Sequence, residues 1–212
     1  MNEPRYHRAA MEQFTYDPHT ALVVVDVQND FADSGGSLYV RGGQHVVPIV
    51  SDEVEKARAA GAPILYTADW HPESTPHFAK DGGIWPVHCV AGTWGAEFYP
   101  DLIVDGPIVR KGANGEDGYS GFTMRDPTSG QTMPTELARL LREREVTQLV
   151  VCGLATDYCV KSTALDGLAE GFEVRLLLDA VRPVDLQEGD GVRALAAVEE
   201  AGGILVGRSG SA

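Results

Sequence analysis

No uninterrupted apolar run in this 212-residue chain approaches the roughly 20 residues that a membrane-crossing helix requires. Residues 1–18 are polar and lack the apolar centre of a secretory leader, so no export signal is expected. Cysteine is scarce. Three residues, an odd number with no C-x-x-C pair, do not make a disulfide framework, and a reducing, cytoplasmic setting is the expectation. Basic residues are in deficit, 17 Lys and Arg against 31 Asp and Glu, and the net charge of −14 disfavours phosphate backbones and anionic bilayers. Neither nucleic acid nor membrane is therefore expected as a partner. No G-x-G-x-x-G follows a strand, and neither G-x-x-x-x-G-K-[S/T] nor G-x-S-x-G occurs. Hydride transfer, phosphoryl transfer and nucleophile-elbow serine hydrolysis lose their usual sequence support. Internal repeats and low-complexity stretches are also missing, and residues 207–212 read as a frayed tail.

What is present suits a compact α/β protein. A chain 43% hydrophobic at this length can bury one core, so a single domain over residues 1–212 is expected, with its core over about residues 20–206 and flexible termini. Thr20–Val25 is an apolar, β-branched run without polar alternation and reads as a buried strand. Residues 63–67, 107–110, 146–152, 173–178 and 204–206 read as further strands. Helical spacing is predicted over 46–60 (ending at Gly61), over 134–144 (with Pro134 near the first turn), over 157–170 and over 189–201. Strands alternating with helices imply right-handed crossovers, hence a mostly parallel sheet covered on both faces. The connection spanning residues 69–102 is too long to be idle.

That loop carries three of the six histidines. With Asp69, the residues His71, His77 and His88 can offer one carboxylate oxygen and three imidazole nitrogens to a divalent ion such as Zn, Fe, Mn or Ni. Asp69 and His71, two apart just beyond a strand, can point the same way, whereas His77 and His88 must fold back over them. Any one of these histidines alone reads best as a surface or core residue. The set of four, beside two Trp-bearing turns, reads as a metal site.

A second group is Cys159, Asp26 and Lys111. Cys159 lies where a strand turns into a helix, and unpaired N–H groups there, with a nearby ammonium, favour a thiolate. Asp26 could take the thiol proton, and backbone amides of the same turn could stabilise an oxyanion. Taken singly, Cys159 as packing, Asp26 as a turn cap and Lys111 as a solvated edge residue serve as well. Cys152, inside its strand, reads as packing. Asp26, Asp69, Lys111 and residues 153–159 all fall at carboxyl ends of expected strands, the edge where open α/β sheets bind ligands.

The segments Asp26-Val-Gln-Asn-Asp-Phe31, Asp69-Trp-His71 with His77, Trp85-Pro-Val-His88-Cys89, Lys111-Gly112, Tyr119-Ser-Gly-Phe122 and Gly153-Leu-Ala-Thr-Asp-Tyr-Cys159-Val160 together resemble the nicotinamidase/pyrazinamidase family. That family belongs to the isochorismatase-like cysteine hydrolases, and the likeness runs from about Thr20 to Leu205 in matching order. The resemblance implies a Rossmann-like three-layer α/β sandwich with a six-stranded, mostly parallel sheet and helices on both faces. It implies hydrolysis of nicotinamide to nicotinate and ammonia through a cysteine thioester, within NAD salvage. Position by position, Asp26, Lys111 and Cys159 match the catalytic triad, and Asp69, His71, His77 and His88 match ligands to one divalent transition metal (Zn, Fe or Mn). Phe31, Trp85, Tyr119 and Thr156 match the substrate pocket. The Ala155–Thr156 bond matches a cis peptide that helps aim the Ala155 and Cys159 amides at the oxyanion. The implied partner is a small molecule, nicotinamide or an analogue. A homo-oligomer is compatible with the sequence, although no apolar stripe marks an interface.

Three other readings are distinguishable. One is an amidohydrolase acting on another small amide of the maleamate or N-carbamoylsarcosine type, against which the complete metal-ligand set argues. Another is a non-catalytic metal- or pyridine-binding protein, against which Asp26, Lys111 and Cys159 argue jointly. In the third, a metal-bound water is the nucleophile and Cys159 only packs.

Overall fold

The computed structural model describes residues 14–207. The expected frayed tail from residue 208 onward lies outside the described residues. The elements are β1 (Thr20–Val25), α1 (Asn29–Ala32), α2 (Val47–Ala59), β2 (Ile64–Asp69), β3 (Ile108–Lys111), β4 (Thr123–Arg125), β5 (Thr132–Pro134) and α3 (Leu137–Arg142). They continue with β6 (Gln148–Leu154), α4 (Lys161–Ala169), β7 (Glu173–Arg182), α5 (Asp190–Glu200) and β8 (Ile204–Val206). Among the described residues no helix is long and apolar enough to cross a membrane.

Six strands form one parallel sheet in the order β3-β2-β1-β6-β7-β8. From β1 the chain steps outward through β2 and β3, then returns to the other side of β1 for β6, β7 and β8. The strand order thus reverses between β1 and β6, and a crevice opens there at the strands' carboxyl ends. This is the expected architecture, with helices on both faces. On one face Val47, Val50, Val54 and Ala57 of α2 pack with Leu22, Val24, Val150 and Cys152. On the other, Leu137, Leu141, Ala164, Leu195 and Val198 from α3, α4 and α5 pack with Val23, Val25, Leu149 and Val151. Both faces of β1 are covered and all six of its residues are buried, which is why that strand is apolar without alternation. Burial of each of Val50 and Val54, fully enclosed, contributes about 1.5–3 kcal/mol as an upper estimate.

Several boundaries differ from the sequence reading. The helix expected over 134–144 starts only at Leu137, and Pro134 instead closes β5 of an unforeseen antiparallel hairpin with β4. The Thr135 hydroxyl accepts the N–H of Leu137, the first residue of the helix, at 3.1 Å. The helix expected over 157–170 opens as a π-helical turn, Thr156–Val160, in which the Val160 N–H reaches back five residues to the Ala155 carbonyl at 3.1 Å. The cis peptide is also displaced. It joins Leu154 to Ala155, not Ala155 to Thr156. β6 ends at Leu154 and the helical turn begins at Thr156, so the bond that leaves the strand lies one residue earlier than the motif suggested.

Gly153 of β6 pairs with Val25 of β1 where a side chain has no room. It has φ = 113°, and a Cβ there would lie 2.0 Å from the Val25 carbonyl oxygen. A Gly153→Ala variant is expected to lose at least about 1–3 kcal/mol of stability, because strain and a backbone clash coincide. Urea denaturation of the variant beside wild type measures this, and an unchanged midpoint and slope would contradict it.

Candidate active site

The crevice side chains are delivered by the sheet itself. Asp69 and Lys111 are the last residues of β2 and β3 and are register partners, so their side chains leave adjacent strands on the same face. Asp26 directly follows β1 at φ = 49°, a left-handed conformation that aspartate tolerates better than most residues. The Thr67 hydroxyl donates to Asp26 Oδ1 at 2.6 Å and fixes the carboxylate. Cys159 enters from the π-helical turn after β6. The four meet at one ammonium. Lys111 Nζ lies 2.6 Å from Asp26 Oδ2, 2.9 Å from Asp69 Oδ1 and 3.5 Å from Cys159 Sγ. It also donates to the Tyr119 carbonyl at 3.3 Å.

All four groups are buried, and burial sets the electrostatics. Burial alone would lower the Lys111 pKa, but Asp26, Asp69 and Cys159 around it carry it well above the usual lysine value. Burial would raise Asp69, yet Lys111, with the imidazoles of His71 and His88 close by, holds it well below the usual carboxylate range. Asp26 goes the other way: burial, reinforced by Asp69, raises it despite Lys111. The thiol of Cys159 is likewise pushed well above its ordinary value, first by burial, with Lys111 opposing and both carboxylates reinforcing. Desolvation thus opposes the ionisation that the helix terminus and the nearby cation favour, and the carboxylate of Asp26 lies beside the sulfur.

The histidines gather on the far side of Asp69. One ring nitrogen from each of His71, His77 and His88 lies within 4.8 Å of the others. Asp69 Oδ2 is 3.8 Å from Nε2 of His71 and 3.8 Å from Nε2 of His88. The long loop is pinned to make this possible. His71 pairs with Val90 and Phe78 with Trp85 in isolated parallel bridges, which carry His77 and His88 back over the end of β2. Phe78 is fully buried beneath the imidazoles of His71 and His88, 5.4 Å from each. His88 Nδ1 faces the Pro86 carbonyl at 2.8 Å and His77 Nδ1 faces Asp117 Oδ1 at 2.7 Å, so both rings have Nε2 left for a ligand. Both nitrogens of His71 are buried without a hydrogen-bond partner. Such an orphaned imidazole is costly in a finished core. With one carboxylate and three imidazoles converging, the donor set fits a divalent transition ion.

Beside these groups lies a cavity. Phe31, Trp85, Tyr119, Ala155 and Cys159 line it, as do Asp69, His77 and His88. Thr156 is buried but does not line it. Its side chain belongs to the first residue of the π-helical turn, and the preceding Ala155 takes the lining position. Sequence reasoning missed the remaining wall. Tyr158 packs edge-on against Trp85 (ring centroids 4.9 Å apart) and Tyr119 (5.2 Å), while Leu38, Val40, Leu154 and Val184 form an aliphatic side. Trp85 Nε1 donates to the Tyr119 hydroxyl at 2.9 Å, leaving the Tyr119 proton available to another acceptor.

Three supporting residues also went unforeseen. The side-chain amide of Gln28, fully buried, donates to the Asp69 carbonyl at 2.7 Å while its oxygen accepts the Asp69 N–H at 2.8 Å, so it holds Asp69 as a neighbouring strand would. Asp30 accepts the Cys89 N–H at 2.7 Å next to His88 and the Ser37 N–H at 2.9 Å next to Leu38. Asp117, whose pKa is lowered first by the hydrogen bond from His77, is the third. Gln28 and Asp30 lie in a motif already singled out, but only their cross-chain partners reveal their work.

Known proteins resemble this chain in sequence and fold. The sequence matches the isochorismatase domain family over residues 20–206. It is 34% identical over 206 residues to the nicotinamidase of Escherichia coli, covering 89% of this chain and 94% of the relative. The crystal structure of a pyrazinamidase of Pyrococcus horikoshii in complex with zinc superposes with a TM-score of 0.80 at 43% identity, covering 90% of this chain and 99% of that one. PnC1 from L. infantum in complex with nicotinate superposes with a TM-score of 0.84 at 33% identity, covering 93% and 97%. By match length, fold and coverage, the chain belongs to the isochorismatase domain family.

Proposed function

We propose that the chain is a nicotinamidase/pyrazinamidase, a single-domain cysteine amidohydrolase that converts nicotinamide to nicotinate and ammonia, in the cytoplasm and within NAD salvage. The observation that carries this reading is the shared ammonium. Lys111 joins Asp26 and Cys159, a base and a nucleophile, to Asp69, a member of the metal-ligand set, at 2.6, 3.5 and 2.9 Å. A reacting centre and a substrate anchor are thereby fixed relative to one another at the mouth of a cavity suited to a flat ring. Relatives that carry the nicotinamidase name, and a structural neighbour bound to nicotinate, support the substrate class.

Asp69, His71, His77 and His88 would hold one divalent ion, Zn, Fe or Mn. Bound there, it would supply a Lewis-acidic anchor for a pyridine nitrogen. The ring would lie among Phe31, Trp85, Tyr119 and Tyr158, with its carboxamide directed at Cys159. Asp26 takes the thiol proton as the sulfur adds to the carboxamide carbon, and the carbonyl electron pair moves to oxygen. The Ala155 and Cys159 amides hold that oxyanion. When the C–N bond breaks, Asp26 returns the proton to the departing nitrogen, and ammonia leaves a thioester. Asp26 then deprotonates a water, which adds to the thioester, and cleavage of the C–S bond returns the proton to sulfur. Because burial raises the thiol's pKa, proton removal accompanies attack.

Ammonia release from nicotinamide, and from its pyrazine analogue, tests the reading. Cys159→Ala is expected to lower kcat by a factor on the order of 10³ or more while bound metal, measured by mass spectrometry, stays at the wild-type level. Near-normal turnover by that variant would instead make the metal-bound water the nucleophile. Chelation is expected to depress turnover of the wild type.

Lys111→Met leaves Asp26 and Asp69 buried together without their cation. It is expected to destabilise the protein by about 3–5 kcal/mol in urea and to abolish turnover. A variant that folds as stably as wild type would show that this ammonium is dispensable to the fold.

A further inference from the structure

The three histidines of the metal-ligand set differ in what stands behind them. His88 Nδ1 has a backbone carbonyl, that of Pro86, at 2.8 Å. His71 Nδ1 has no partner and faces the backbone of Gly112, where a Cβ would come within 2.5 Å of it. Only His77 has a carboxylate: Asp117 Oδ1, at 2.7 Å from Nδ1. Asp117 comes from 40 residues further along the chain and is itself anchored. Its N–H donates to the Arg125 carbonyl at 2.8 Å, and its carbonyl accepts the Arg125 N–H at 2.6 Å. Asp117 Oδ1 also accepts the Gly118 N–H at 2.8 Å, and Oδ2 lies 3.8 Å from the Arg125 guanidinium. The β4–β5 hairpin, which adds nothing to the central sheet, is thereby tied to one histidine of the loop over the crevice.

We propose that Asp117 is a positioning residue for the metal site, holding His77 with its proton on Nδ1 and its Nε2 lone pair turned toward His71 and His88. A carboxylate acceptor fixes the tautomer and ring orientation and raises the basicity of the opposite nitrogen, which a carbonyl does less strongly. His77 gains more from this support than His71, which lies two residues beyond β2, because His77 sits in an irregular turn held by the Phe78–Trp85 bridge and by short-range bonds such as its own N–H to the Thr75 hydroxyl at 3.3 Å. The hairpin therefore acts as the fixed post for the most remote ligand. The inference rests on the metal-holding reading of these histidines and is independent of which amide is hydrolysed.

The full-length protein loaded with Co²⁺ is titrated with a competing chelator, for wild type, Asp117→Ala and Asp117→Asn. Removing the carboxylate is expected to weaken Co²⁺ binding about 10- to 100-fold and to alter the visible cobalt absorption. Asparagine is expected to recover part of the loss, because its oxygen still accepts the Nδ1 proton without the charge. Wild-type cobalt affinity and spectrum in Asp117→Ala would overturn the proposal. So would equal losses in both variants accompanied by a matching fall in the thermal midpoint of the metal-free proteins, which marks a residue that only holds its loop. A wild-type protein that takes up no Co²⁺ would overturn the metal reading itself, and the wild-type titration separates that failure from the other two.

Discussion

A single buried ammonium organises this molecule. Lys111 Nζ neutralises two carboxylates that reach it from different strands, and neither would remain charged at that depth alone. The contact depends on strand register. Asp69 and Lys111 are partners across the β2–β3 ladder, and Val25, just before Asp26, is the partner of Thr67 across β1–β2. A slip of one residue in either ladder would turn the polar side chain to the opposite face, into hydrocarbon. Register is itself enforced by the apolar faces of the same strands, packed on both sides. The hydrophobic core and the charged cluster thus specify one alignment between them, the core by area and the cluster by the penalty for missing it.

The six strands were legible because each is a short β-branched or apolar run, and the crevice followed from their alternation with helices. Their carboxyl ends were less legible. β2 extends to Asp69 and β6 to Leu154, beyond the expected ends, because the strands continue into the residues that face the site. The β4–β5 hairpin, with strands of three residues each, is too short to carry a period. Histidine, lysine and cysteine announced themselves by type and spacing, and the resemblance assigned their roles. Gln28, Asp30 and Asp117 did not, because their partners lie 41, 59 and 40 residues away and only the fold joins them. The aliphatic wall of Leu38, Val40 and Val184 was indistinguishable from core in sequence, since apolar side chains that line a cavity look like those that fill one.

The long loop between β2 and β3 shows how irregular chain becomes precise. It has no element longer than a single turn, yet it delivers three of the residues facing the cavity, His77, Trp85 and His88. Its order comes from a buried Phe78, two isolated bridges, and the side chains of Asp30 and Gln28 taking up backbone groups that strands would otherwise satisfy. Cys89, beside His88, adopts φ = 44°, and Asp26 at 49° stands on the other side of the crevice. Of the non-glycine residues with left-handed backbone, two thus border the site, and the surrounding hydrogen bonds hold both.

The chemistry of the cation explains why lysine occupies the centre. An ammonium is a compact point charge with three rotatable donors, and Lys111 meets Asp26 and Asp69 at under 3 Å and the Cys159 sulfur and Tyr119 carbonyl at longer range. A planar guanidinium directs its donors in a fixed fork suited to one carboxylate at a time, and its bulk would enter the space beside Cys159. Because the same charge faces both the sulfur and Asp69, any gain of negative charge at one is felt at the other. Asp69, beside the histidines, and the Cys159 sulfur are therefore coupled electrostatically without touching, through two contacts already present in the folded chain.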